Sequence, residues 1–119
     1  NTSNIAEFEA RKSAIDNINP KVYIANFEET SSTQASLLMA LNTFNVPFQV
    51  SGIFELVEDA FNAIKLYDPD LVIVNGNSDI ERILKNMLTD HKVTSITEFD
   101  SSSILDNIDT MIIKLEVGE

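Results

Sequence analysis

The chain has 119 residues, enough for one domain with a real core. Its net charge is −11, from 19 acids against 8 bases, so phosphate backbones and anionic lipids are repelled and direct nucleic-acid binding is not expected. Cysteine is absent, which excludes disulfides, thiol catalysis and Cys-based metal sites.

A single histidine, His91, rules out a His cluster from one chain. The three glycines, Gly52, Gly76 and Gly118, cannot build a P-loop or a dinucleotide fingerprint. No apolar run approaches the ~20 residues of a membrane span. No signal-peptide pattern is present either, so the expected location is cytoplasmic. The first residue is Asn1 rather than Met, as in a fragment or a processed piece of a longer protein.

In chain order, residues 4–19 predict an amphipathic helix. Asn4 with Glu7 suits a cap, and Ile5, Phe8, Ile15 and Ile18 fall near one face, interrupted by Lys12. Pro20 ends it. Either this helix covers the domain or it is the end of a coiled coil or linker from an upstream segment; the boundary is placed at 1–20 and 21–119. Residues 22–25, Val-Tyr-Ile-Ala, form an apolar run suited to a strand buried on both faces. A polar loop follows from Asn26, then a helix over 32–44 with Leu37, Leu38, Leu41 and Phe44 on one side.

Residues 48–50 read as a second strand after Pro47, and 55–67 as a helix with Val57, Ala60, Phe61 and Ile64 inward. Leu71-Val72-Ile73-Val74 is the third strand. Ser78 and Glu81 suit a capping box, opening a helix to about Asp90. Residues 93–97 read as a fourth strand. Ser101 to Ser103 cap a short helical turn, and 111–115, Met-Ile-Ile-Lys-Leu, read as a fifth strand. Strands alternating with helices predict right-handed crossovers and a three-layer α/β domain. A doubly wound, flavodoxin-like, five-stranded parallel sheet of order 2-1-3-4-5 is expected, with an extra N-terminal helix and no final helix.

Ligands in such sheets bind beyond the carboxyl ends of the strands, at the switch point. That places Asn26, Phe27, Glu28 and Glu29, with Asn75, Gly76 and Asn77, at one crevice. Thr97 and Lys114 complete the candidate cluster.

The stretch "DPDLVIVNGN" resembles the third strand of the receiver domains of bacterial response regulators, the CheY-like family. "KVYIANFEET", "KVTSITEFD" and "NIDTMIIKLE" are similar to its first, fourth and fifth strands, so the resemblance spans about residues 21–115. It implies that Asn75 stands where the family carries the phosphorylated Asp. Asn26 and Phe27, with Glu28 beside them, stand where an acidic pair holds Mg²⁺. Thr97 and Lys114 match the family's hydroxyl and lysine in type, though no proline follows Lys114. An amide is not a carboxylate nucleophile and forms no acyl phosphate. A Mg²⁺ site wants carboxylates together with phosphate oxygens, so no metal and no cofactor is expected.

Plainer roles stand beside these. Asn75-Gly76 is a strong turn pair, since both residues tolerate positive φ. Lys114 suits a solvent-tipped strand residue, Thr97 an ordinary strand hydroxyl, and Glu28 and Glu29 a solvated loop. His91 suits a helix end, where a cation meets the helix dipole. Met39, Met87 and Met111 suit core filling, and Asp68 and Asp70 a turn around Pro69. No arrangement points to an enzyme. The leading expectation is a pseudo-receiver that has lost phosphorylation and binds a protein partner or a second copy inside a larger regulatory or assembly protein. The leading helix and the side near the fourth and fifth strands are its candidate surfaces. By analogy of architecture it resembles atypical receivers found in front of ParA/MinD-like ATPases. The alternative is a small-molecule or nucleotide sensor, with the ligand over Asn26, Asn75 and Thr97 and a ring beside Phe27.

Overall fold

The computed structural model describes residues 2–117, with side chains from Asn4 onward. The elements run α1 (Thr2–Ile18), β1 (Val22–Asn26), α2 (Ser32–Thr43), β2 (Phe48–Ile53) and α3 (Val57–Tyr67). They continue with β3 (Leu71–Asn75), α4 (Ser78–Met87), β4 (Lys92–Ser95), a 3-10 turn (Ile96–Phe99) and α5 (Ile104–Val117). The sheet is wholly parallel, with strand order β2-β1-β3-β4.

β1 and β3 are buried at every position, which is why each reads as an unbroken apolar run up to its final Asn. The period of two along a strand splits their side chains between two cores. Val22, Ile24, Leu71 and Ile73 face Leu37, Leu41 and Phe44 of the α2 segment and Ile108, Met111 and Leu115 of α5. Tyr23, Ala25, Val72 and Val74 face Ala60 and Ile64 of α3 and Leu84 of α4. Each fully buried Leu, Ile or Val in these layers contributes about 1.5–3 kcal/mol. Burial also pushes the Tyr23 phenol above its ordinary pKa; its ring lies 5.6 Å from that of Tyr67.

The expected fifth strand is a helix, and the expected lack of a final helix is corrected with it. Residues 111–115 belong to α5, together with Glu116 and Val117, while Gly118 and Glu119 lie outside the described residues. Read from Ile104, the apolar spacing 104, 108, 111, 115 is helical. Ile108, Met111 and Leu115 are buried while Ile113 is 56% exposed, as a stripe on one face requires. The five-residue window taken alone hides that period.

Smaller differences have local causes. Asn77, not Ser78, caps α4: its Oδ1 accepts from the Ile80 backbone N–H at 2.8 Å, and the helix ends at Met87 rather than Asp90. Asn4 lies inside α1 rather than at its cap. Met111 is core, but Met39 and Met87 are exposed on helix surfaces. Asn19, Asn45 and Asp68 take φ of 53°, 56° and 56°, ending α1, the α2 segment and α3 in the left-handed conformation that glycine usually supplies. Asp70 ties the start of β3 to that of β1, accepting from the Lys21 N–H at 2.8 Å.

α1 is seated on the domain. Ile15 is buried, the Phe8 and Phe44 rings lie 4.7 Å apart, and Arg11 binds Asp109 through two parallel hydrogen bonds of 2.9 and 3.0 Å. Its exposed Ile5 makes no comparable contact, being 63% accessible. We expect Phe8→Ala to cost about 2 kcal/mol, below the ~3–5 kcal/mol of a fully buried aromatic because Phe8 is half-buried. Ile5→Ala should be near neutral. Urea melts of the two variants check this; equal midpoints would mean that α1 adds nothing to the core.

Candidate functional site

The parallel register places Asn26, the last residue of β1, directly beside Asn75, the last residue of β3. Both are buried, so their amides have to find partners within the protein. Asn26 and Gln34 bind each other twice, Gln34 Nε2 donating to Asn26 Oδ1 at 2.8 Å and Asn26 Nδ2 to Gln34 Oε1 at 3.3 Å. Asn26 Nδ2 also donates to the Ser51 carbonyl at 3.0 Å. The register between β1 and β2 shifts between Ile24 and Asn26, and there the Asn26 N–H donates to Ser51 Oγ at 2.8 Å. Asn26 Oδ1 takes a second hydrogen bond from Asn75 Nδ2, at 2.8 Å. Asn26 thereby uses both amide hydrogens and both acceptor positions and keeps no valence for a ligand.

Asn75 Nδ2 serves as the network's outer donor. Besides Asn26 it reaches the Glu28 carbonyl at 3.1 Å and, more weakly, the Glu29 carbonyl at 3.4 Å, tying the loop after β1 to the end of β3. The Phe27 N–H closes the same junction on the Asn75 carbonyl at 2.8 Å. Neither Asn75 nor Gly76 has a positive φ, so the expected Asn-Gly turn is not the reason for this pair. Gly76 lies in a tight spot, since a Cβ there would stand 3.3 Å from Phe27 Cβ.

A cleft of about 320 Å³ opens above the network, lined by Glu28, Glu29, Ser31, Thr33, Asn75, Ile96, Thr97 and Asp100. Of the five sequence candidates, Asn26 and Asn75 meet, Glu28 contributes its carbonyl, and Thr97 lies at the cleft wall. Thr97 sits in the 3-10 turn rather than on a strand, and its hydroxyl donates to Ser95 Oγ at 2.8 Å. Lys114 does not join them. It rides on α5, where its Nζ lies 3.0 Å from Glu98 Oε1, so the site's expected cation is spent on an ion pair. Phe27 turns away from the crevice and packs on Phe54, ring centres 5.7 Å apart. His91 pairs with the carboxylate of Asp68 at 2.9 Å, beside the start of β4 and away from this cleft.

Gln34 and Ser51 were not legible as site residues. Gln34 left a trace: it sits three and seven residues before Leu37 and Leu41, inside the buried stripe of α2. Ser51 left none, because a register shift placed it. Three carboxylates, Glu28, Glu29 and Asp100, rim the cleft, yet no group of three ligating side chains close enough for a metal occurs among the described residues.

The network explains why residue 75 is an amide. In Asn75→Asp an oxygen would replace Nδ2 and face two or three acceptors, which disfavours the carboxylate and raises the pKa of the new acid. A raised folded-state pKa means that stability is kept below the ordinary carboxylate range and lost as pH rises through the folded value. We expect Asn75→Asp to be destabilised by about 1–3 kcal/mol at neutral pH and to approach the parent near pH 4. Melting curves of both proteins across that range test this; a pH-independent difference would contradict the network.

Comparison with family models, with curated proteins and with solved structures returns no match, so what this site can do rests on its own geometry.

Proposed function

We propose that this is a receiver-like domain that keeps the fold without the phosphotransfer reaction and works through protein contact within a larger regulatory or assembly protein. One observation supports the reading: Asn75, at the end of the third strand where the resemblance would put the phospho-accepting carboxylate, has its Nδ2 committed to Asn26 and the β1 loop. An amide at this position is not the carboxylate nucleophile that acyl phosphate chemistry needs. Lys114 pairs with Glu98, and among the described residues no Lys, Arg or His lines the cleft to balance a phosphoryl group. No catalytic role is proposed for any residue. Function then falls to the surfaces, where Val50, Ile53, Leu56 and Leu66 are exposed.

The cleft itself supports a second reading, a sensor for a small molecule. Its rim of Glu28, Glu29 and Asp100 disfavours nucleotide phosphates and suits a neutral or cationic ligand. Two measurements test the pair of readings. Beryllofluoride with Mg²⁺ should leave the amide NMR signals of Asn75 and Gly76 in place, and a saturable shift there would overturn the loss of phosphorylation. A thermal-shift screen of nucleotides should be flat, with any stabilisation confined to neutral or cationic compounds.

A further inference from the structure

The amide of Asn75 is satisfied on one side only. Asn75 is 6% exposed, and its Nδ2 has three acceptors around it, Asn26 Oδ1 and the carbonyls of Glu28 and Glu29. Two of these are backbone oxygens, so the amide cannot be turned over: an oxygen in place of Nδ2 would meet acceptors alone. The Oδ1 on the other side has no hydrogen-bond partner among the described residues. It is not sealed away, as the unpartnered His91 Nδ1 and Asn107 Oδ1 are, and the surface that Asn75 meets is the cleft of about 320 Å³. An acceptor in need of a donor thus opens from the floor of the cleft.

We propose that this cleft binds a small primary ammonium ion, with one N–H donated to Asn75 Oδ1 and the charge held by Glu28, Glu29 and Asp100. The inference rests on the small-molecule reading above and names the ligand class. The lining is short of donors. No Lys, Arg or His borders the cleft among the described residues. The Thr97 hydroxyl hydrogen is spent on Ser95 Oγ, so Thr97 offers its lone pairs. A ligand that brings its own donors fits such a lining, and an ammonium brings three.

Charge selects in the same direction. The N-terminus of α2 reaches the cleft at Ser31 and Thr33 and contributes about half a positive charge. Three carboxylates outweigh it. Water screens carboxylates at a rim, so charge alone would hold any cation weakly. The fixed acceptor below them favours an N–H donor over a quaternary ion. A divalent metal is served poorly, because no group of three ligating side chains close enough for one occurs among the described residues. Ile96, 7% exposed, gives the cleft an apolar wall for a short alkyl chain. The volume is at the small end for ligand pockets, which run to roughly 300–1,000 Å³.

The test is an NMR titration of the whole chain with propylammonium at constant ionic strength, beside propanol, tetramethylammonium and calcium. Propylammonium should shift the Asn75 side-chain amide and the Gly76 N–H signals saturably, with a dissociation constant on the order of millimolar. Tetramethylammonium carries the charge without an N–H. It should bind at least about tenfold more weakly, the loss of one charge-assisted hydrogen bond. Glu28→Gln, Glu29→Gln and Asp100→Asn keep the backbone that holds Asn75. Each should weaken propylammonium by up to about fivefold, and the three together by about tenfold. Tetramethylammonium or calcium matching propylammonium at these signals overturns the proposal, as does a triple variant that binds propylammonium unchanged. Propanol binding there as tightly also overturns it and leaves the small-molecule reading standing. Silence with all four probes overturns the proposal; only a flat screen of neutral and cationic compounds as well would remove the small-molecule reading.

Discussion

The junction of Asn26 and Asn75 is the constraint around which this domain is arranged. Two central strands, buried on both faces, run side by side in parallel and end at the same level. Polar side chains at those ends are largely cut off from water and need partners within the protein. Burying a pair of carboxylates there would cost several kcal/mol per charge unless cations or metal offset it. Amides avoid that cost, provided every hydrogen and lone pair finds a partner. Gln34 from α2 and Ser51 from β2 supply the partners for Asn26, and the loop after β1 supplies them for Asn75. The network thus links three strands, a helix and a loop.

That solution has a chemical consequence. A receiver-like pocket depends on charge: acids to hold a cation, a carboxylate to attack phosphorus, and a lysine to bind the product. The ends of β1 and β3 here are instead held by two neutral, mutually bound amides, and Lys114 lies on α5 against Glu98. The remaining acids, Glu28, Glu29 and Asp100, stand at the rim where water screens them. Charge therefore lies at the lip of the cleft, while its floor is held by neutral amides.

Much of this was readable in the residue order. The runs 22–25 and 71–74 announce central parallel strands because burial on both faces leaves no polar alternate positions. Asn26, Glu28, Asn75 and Thr97 were placed at one crevice because parallel strands bring their carboxyl ends together. Gln34 and Ser51 were not, since a buried amide on a helix and a hydroxyl beside a register shift have no local mark. Phe27 was assigned to the crevice by position alone; packing on Phe54 turned it away.

The clearest division falls at the C-terminal segment. Met111 to Leu115 is apolar and β-branched enough for a strand, and local preference could not exclude one. Spacing from Ile104 onward did decide for a helix once the face toward Phe44 and Leu71 had to be covered. The sequence by itself determined an α/β domain, its two central strands, an acidic composition and an amide at the end of each central strand. Tertiary structure decided that the last segment is a helix, that Lys114 serves Glu98, and that Asn26 has no free valence. Those outcomes depend on which elements meet across many residues of chain, and contacts between distant segments leave no periodicity to read.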